Sequence, residues 1–245
     1  MYLLGTKIHS ISLDKALAKA EGFLNDGKQH YIVTPNPEIV MRARTDRAFR
    51  NILNKSSLSI PDGSGIVWAS KFLGGGESIE KRIAGIDFMN SFLEHLHTSK
   101  SRQYRILLAG GRNSSAKQAA ENLGRKYSRL KFFSWESVES ERSRHLIRNV
   151  IQPDIIFVAM GAPKQEIWMY KNLKFFPTAK IAMGVGGSLD FISARVPRAP
   201  KVFQNAWFEW MWRLMVQPWR AGRVFNAVVA FPLAVAREKF SHKNL

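Results

Sequence analysis

Short apolar runs alternate with amphipathic stretches along almost the whole chain, the pattern of a parallel sheet covered by helices. Leu13, Ala16, Leu17, Ala20 and Leu24 recur at helical spacing. Tyr31-Ile32-Val33 reads as a buried strand ending at Thr34-Pro35-Asn36-Pro37, where Asn36 can cap the next helix and Pro37 suits its first position. Ile39, Val40, Ala43, Phe49, Ile52 and Leu53 give that helix one apolar stripe. Leu58-Ser59-Ile60 predicts a second strand, closed by Pro61-Asp62-Gly63. Helices over 65–72 and 83–97 follow. The remaining units are regular, with strands over 105–109, 130–133, 155–160 and 180–185 and helices over 115–127, 139–150 and 164–173. The expected fold is α/β: a Rossmann-like, mostly parallel sheet with helices on both faces.

The composition shifts near 196–200, where arginine, proline and then tryptophan take over. A boundary is expected there, with a core over 1–195 and a helical, membrane-binding appendage over 196–245. Trp207, Trp210, Trp212 and Trp219 fall within thirteen positions, interleaved with Arg213, Arg220 and Arg223. An apolar run from Val224 to Ala236 follows, broken by Asn226 and Pro232. Tryptophan favours the boundary between hydrocarbon and water, and arginine meets anionic headgroups there. The run is too short for a span, which needs ~20 apolar residues. Two readings fit, a segment lying on a membrane and a hairpin packed on the core, and one face can do each.

The 245 residues carry a net charge of +18, so an acidic partner is expected. From Arg195 onward nine Lys or Arg face only Glu209 and Glu238. Anionic lipid, phosphorylated substrate and nucleic acid are the candidates. No zinc-finger spacing, RNP-like motif or lysine-rich tail supports nucleic acid. A nucleic-acid module would also spread stacking aromatics over a sheet face. There is no cysteine, which excludes disulfides and a thiolate nucleophile. The apolar stretch at the N-terminus is too short for a signal peptide, which points to the cytoplasm at the inner membrane face.

Ligands of such sheets bind beyond the carboxyl ends of the strands. The turns at Thr34-Pro35-Asn36, Pro61-Asp62-Gly63, Gly110-Gly111, Gly161-Ala162-Pro163-Lys164-Gln165 and Gly184 to Asp190 all fall there. Glycines let backbone N–H groups approach a phosphate, so a nucleotide-like ligand is expected. Neither GxGxxG after the first strand nor GxxxxGK[ST] is present, which excludes the common dinucleotide and P-loop sites. No Asp-x-Asp pair offers a divalent-metal site, and no cofactor is implied. Asp62 can be a base or an Asx-turn and helix cap. Asp190 can accept from sugar hydroxyls or cap a helix, and Asp87 can cap. Arg82 and Lys164 are the cations best placed for a diphosphate.

Eight ordered motifs carry a resemblance. They are Thr34-Pro35-Asn36, Ile60 to Gly65, Lys81 to Asp87, Ala159 to Glu166, Met183 to Gly187, Arg198-Ala199-Pro200, Glu209 to Leu214, and Gln217 to Arg220. Together they closely resemble the WecG/TagA/CpsF family of bacterial glycosyltransferases, over nearly the whole chain. The resemblance implies metal-independent transfer of an N-acetylmannosamine-type sugar from a UDP donor to polyprenyl-diphosphate-linked N-acetylglucosamine. Such steps build teichoic-acid linkage units and other surface polysaccharides. It implies Asp62 as general base, with Thr34 and Asn36 lining its pocket and Arg82 and Gln165 positioning acceptor or donor. It assigns UDP to Gly110, Gly111, the turn from Gly161 through Pro163 to Lys164, Gly187 and Asp190. It assigns the diphosphates to Arg213, Arg220 and Arg223. Family members are also described as self-associating through the core. One departure is Ala194, where the resemblance leads one to expect a glycine after Ser193.

Overall fold

The computed structural model describes residues 1–74, 78–99, 102–136, 141–195, 215 and 221–241. It opens with a hairpin that the pattern did not predict, β1 (Tyr2–Leu3) and β2 (Thr6–Lys7). Leu4 and Gly5 turn it with φ of 48° and 78°, as a tight hairpin turn requires. Two-residue strands are too short to show a period.

Next come α1 (Leu13–Asn25), β3 (His30–Val33), α2 (Pro37–Thr45) and α3 (Arg47–Asn54). The single helix expected over this last stretch is two. Asp46 Oδ1 accepts from Phe49 N at 2.9 Å and caps a fresh helix. The phase of the stripe explains the break. Beyond Ala43 an unbroken helix would turn Arg47 and Arg50 inward, whereas restarting at Arg47 buries Phe49 and Leu53.

β4 (Leu58–Ser59), α4 (Ser64–Leu73), α5 (Gly85–Thr98), β5 (Arg105–Gly110), α6 (Ser115–Lys126) and β6 (Lys131–Trp135) follow. The chain continues through α7 (Glu141–Leu146), a π-helical turn over Ile147–Ile151, β7 (Ile155–Ala159), α8 (Lys164–Asn172), β8 (Ile181–Gly184) and α9 (Ser188–Ile192). At the end stand α10 (Ala221–Phe225), a π-helical turn over Asn226–Ala230, and α11 (Phe231–Ser241).

The six long-range strands pair in parallel in the order β4-β3-β8-β7-β5-β6. Alternate residues face opposite layers. Ile32, Ile106, Leu108, Ile155, Phe157, Ile181 and Met183 pack with α1, α5, α6 and α9. Val33, Leu107, Ala109, Ile156, Val158 and Ala182 pack with α2, α3 and α8. The helices thus lie on both faces, as expected.

β3 leads into α2 on one face, and its neighbour β8 leads into α9 on the other. Diverging connections at adjacent strands open a crevice at their carboxyl ends, where ligands of such sheets bind.

A third cluster joins the two chain ends. Leu3, Leu4, Ile8, Val40, Ile66 and Ala69 close over Phe231, Ala234 and Val235 of α11. Lys239 Nζ donates to Phe72 O and lies 4.3 Å from the centre of the Phe72 ring. One face of the C-terminal helix is therefore core. Phe225, Val228, Val229, Leu233 and Phe240 on the same segment remain exposed. No helix among the described residues is long and apolar enough to cross a membrane. The expected boundary at 195/196 falls beside residues outside the described set, as do all four tail tryptophans.

Candidate active site

Three loops knit together at the ends of β3 and β4. Ile60 N donates to Val33 O at 2.8 Å, and Asp62 N to Pro35 O at 3.0 Å. Ile83 N donates to Pro61 O at 2.8 Å, which draws Arg82, half-buried, to the Asp62 loop. Gly85 N, at the start of the 14-residue α5, donates to Asp62 Oδ2 at 3.4 Å. The Asp62 carboxylate therefore takes part in a helix start, one of the two roles its position allowed.

Thr34 is buried, and a Cβ on Gly85 would lie 3.4 Å from its Oγ1 and Cγ2. α5 therefore starts close against the end of β3. Asn36 caps α2 as the sequence indicated, its Oδ1 accepting from Ile39 N at 2.9 Å. Thr34, Asn36, Asp62 and Arg82 are thus brought together by backbone ties.

The glycine turns stand along the next strands. Gly110 and Gly111 have φ of 87° and 91°, and Gly111 N donates to Ala159 O at 2.9 Å. A Cβ on Gly111 would meet Ser115 Oγ at 2.5 Å. That hydroxyl instead accepts from Arg112 N at 3.1 Å and shapes the entry to α6. Gly161 and Pro163 form the turn into α8, and Lys164 stands exposed at its first position. Gly187 is exposed at the entry to α9, with Asp190 N donating to Gly187 O at 3.2 Å. Arg195 closes this side, its Nη1 donating to Arg112 O at 3.2 Å and its N to Asp190 O at 3.1 Å. The Asp190 carboxylate belongs to the first turn of α9 and lies close to Gly187.

Gln165 links the two sides. It is 3% exposed, its Oε1 accepts from Gly186 N at 2.9 Å, and its Nε2 donates to Glu166 Oε1 at 2.8 Å. A Cβ on Gly184 would fall 2.6 Å from Gln165 Nε2, so the carboxamide fills the space that glycine leaves. Glu166 is wholly buried, and burial pushes its carboxyl up to about 7. The sequence reading passed over this residue, because a glutamate in a first helical turn looks like a solvated charge. The signal available was the apolar run Ile167-Trp168-Met169 directly after it.

Arg213 and Arg220 lie outside the described residues, and only the backbone of Arg223 falls within them. Among the described residues no group of three or more His, Asp or Glu could hold a metal ion. Ala194 adopts φ of 58°, the left-handed conformation that suits the glycine expected there.

A family model described as Glycosyl transferase WecG/TagA/CpsF family matches residues 1–245. The N-acetylglucosaminyldiphosphoundecaprenol N-acetyl-beta-D-mannosaminyltransferase of Bacillus spizizenii is 30% identical over 223 residues, 90% of this chain and 84% of that protein. A protein of the same name from Staphylococcus aureus is 32% identical over 211 residues, 85% of this chain and 80% of that one.

Proposed function

The chain belongs to the WecG/TagA/CpsF family of glycosyl transferases, and from that premise we propose that it moves an N-acetylmannosamine-type sugar from UDP to lipid-linked N-acetylglucosamine. The acceptor is carried on a polyprenyl diphosphate, as the names of the relatives indicate for those proteins. The observation that carries the reading is the knot of loops holding Asp62, Thr34, Asn36 and Arg82 beside the glycine turns after β8, β7 and β5.

In this reading Asp62 removes the proton from an acceptor hydroxyl. The oxygen then attacks the anomeric carbon of the donor as the bond to the β-phosphate of UDP breaks. A positioned carboxylate speeds such attack by ~10²–10⁴. UDP leaves with growing negative charge. Arg112, Lys164 and Arg195, with the N–H groups of the glycine turns, stand where they can stabilise it. Asp190 accepts from ribose or sugar hydroxyls, and Arg213, Arg220 and Arg223 of the tail meet the diphosphates. With these cations and no Asp-x-Asp pair, the transfer is taken to need no metal.

The C-terminal helix supports a lipid-linked acceptor. Phe231 is buried next to Gly65 and Pro37, close in sequence to Asp62 and Asn36. The exposed Phe225, Val228, Val229, Leu233 and Phe240 belong to the same segment. Apolar side chains at a helix surface, with arginines nearby, suit the headgroup boundary of an anionic membrane. The protein then works peripherally at the inner membrane face.

The test is incubation of purified protein with a panel of UDP-sugars and N-acetylglucosamine on a polyprenyl diphosphate. Acceptor-dependent release of UDP and a disaccharide-lipid product are expected. No product from any UDP-sugar on that acceptor, with an authentic family enzyme active in parallel, would sink the reading.

A further inference from the structure

Glu166 is buried without any assigned task. One carboxyl oxygen accepts from Gln165 Nε2 at 2.8 Å, and the other is buried with no hydrogen-bond partner among the described residues. Gly186 N–H can only donate, so the atom of Gln165 facing it at 2.9 Å must be the oxygen. The Gln165 amino group must then face Glu166, which has to present an acceptor. The three groups form a line from the interior of α8 to the backbone of the turn that follows β8.

We propose that Glu166 is a positioning residue for this turn, acting through Gln165 to hold Gly186 where the glycine turn meets the donor's diphosphate. The inference rests on the reading that this turn belongs to the donor site. Glu166 itself touches no substrate. Burying a carboxylate beside so few donors is costly, so burial pushes it up to about 7 and favours the neutral acid below that pH. Its carbonyl oxygen orients the carboxamide, and the carboxamide orients the N–H. Without that acceptor the Gln165 amino group is itself buried and unpaired. The carboxamide then has reason to turn away from Gly186.

Chemistry sets the order of the variants. Glu166→Gln keeps the length and the carbonyl acceptor, so it is expected to bind UDP within about threefold of wild type. Glu166→Leu removes the acceptor, and Glu166→Asp keeps the acid but is one methylene too short to reach Gln165. Both are expected to weaken UDP binding at least tenfold by calorimetry, at a temperature where circular dichroism shows them folded. In a Gln165→Met background, Glu166→Leu is expected to cause little further loss, because both residues act along one path.

A folded Asp or Leu variant that binds UDP like wild type overturns the proposal. So does a Gln variant as impaired as the Leu variant, since the carboxylate itself would then be needed. Failure of the Leu variant to fold leaves the Asp and Gln variants to decide. A wild-type protein that does not bind UDP overturns the donor reading itself, a result distinct from equal binding by all the variants.

Discussion

Replacing Phe231 by alanine tests whether the C-terminal helix is core or only an anchor. Phe231 is fully buried, and its ring edge lies 3.7 Å from where a Cβ on Gly65 would stand. Gly65 in turn is packed against Pro37 so tightly that such a Cβ would meet Pro37 Cγ at 2.8 Å. The ring thus braces two residues that flank Asn36 and Asp62. Phe-to-Ala truncation in a core costs about 3–5 kcal/mol. For a chain of this size 1 kcal/mol corresponds to roughly 2–4 °C of melting temperature. A fall on the order of 6–20 °C is expected, or, if α11 undocks first, a protease-sensitive C-terminus at an unchanged main transition. Either way transfer should fall more than UDP affinity, if the braced loops hold the acceptor as proposed. Leu233→Ser is the control. Leu233 is 59% exposed, so its loss should leave the melting temperature within about 2 °C while weakening co-sedimentation with anionic liposomes. If Phe231→Ala melts and resists protease like wild type, α11 is not part of the core and the argument fails.

Asp62→Asn keeps the shape of the loop and removes the base. Turnover should drop by at least ~10²-fold with UDP affinity retained, and near-normal turnover in calorimetrically intact protein would remove Asp62 from the mechanism. Activity should persist in excess chelator, and a rate recovered only on adding magnesium or manganese would refute metal independence. Ala194→Gly should stabilise the protein by about 0.5–1 kcal/mol, since relief of ~1–2 kcal/mol of left-handed strain outweighs the chain entropy of glycine. An unchanged or lowered melting temperature counts against it. The raised Glu166 carboxyl holds its proton in the fold up to about 7, whereas the unfolded chain releases it near 4.5. Its contribution is therefore complete below pH 4.5 and lost as pH rises through 7. Glu166→Gln should gain stability relative to wild type over that window, by as much as about 3 kcal/mol, and a difference that does not change with pH would refute it.

The sheet was legible because most of its parallel strands are apolar runs ended by turn residues, such as Pro61 after β4 and Gly161 after β7. Asn36 and Pro37 declared their helix start in the same way. The break at Asp46 was harder to see, since Phe49 and Leu53 look like one stripe with Ile39 and Ala43 until the phase is counted. The hairpin at Tyr2 to Lys7 was invisible because two-residue strands have no period. Asp62 could be picked out by its place at a strand end, yet its contact with Gly85 N joins residues 23 positions apart. Glu166 and Phe231 were missed for a common reason. Their importance comes from what packs over them from distant parts of the chain. A glutamate near a helix start and a phenylalanine in an apolar tail are unremarkable until the Gly186 turn and the Gly65 shelf are placed beside them.

The topology itself argues for a division of labour within the crevice. β3 and β8 are hydrogen-bonded neighbours, with Ile32 opposite Met183, so the loop carrying Thr34 leaves the sheet beside the turn that Gln165 holds. Asp62 follows β4, one strand further out. Two strand spacings, on the order of 10 Å, therefore separate the base from the turn at Gly186. In the proposed transfer Asp62 reaches the attacking hydroxyl, and the diphosphate departs from the opposite side of the same anomeric carbon. A spacing of this size lets one sugar ring lie between base and leaving group. Because both anchors sit on the rigid ends of one sheet, the geometry is set before the substrates arrive, and the entropy of aligning them is lowered in advance. The crevice is also flanked on its β4 side by α4 and by α11, which carries the exposed Leu233 and Phe240. An acceptor entering from a membrane surface would thus meet Asp62 before it met the glycine turns, which leaves the β8, β7 and β5 side for a soluble, charged donor.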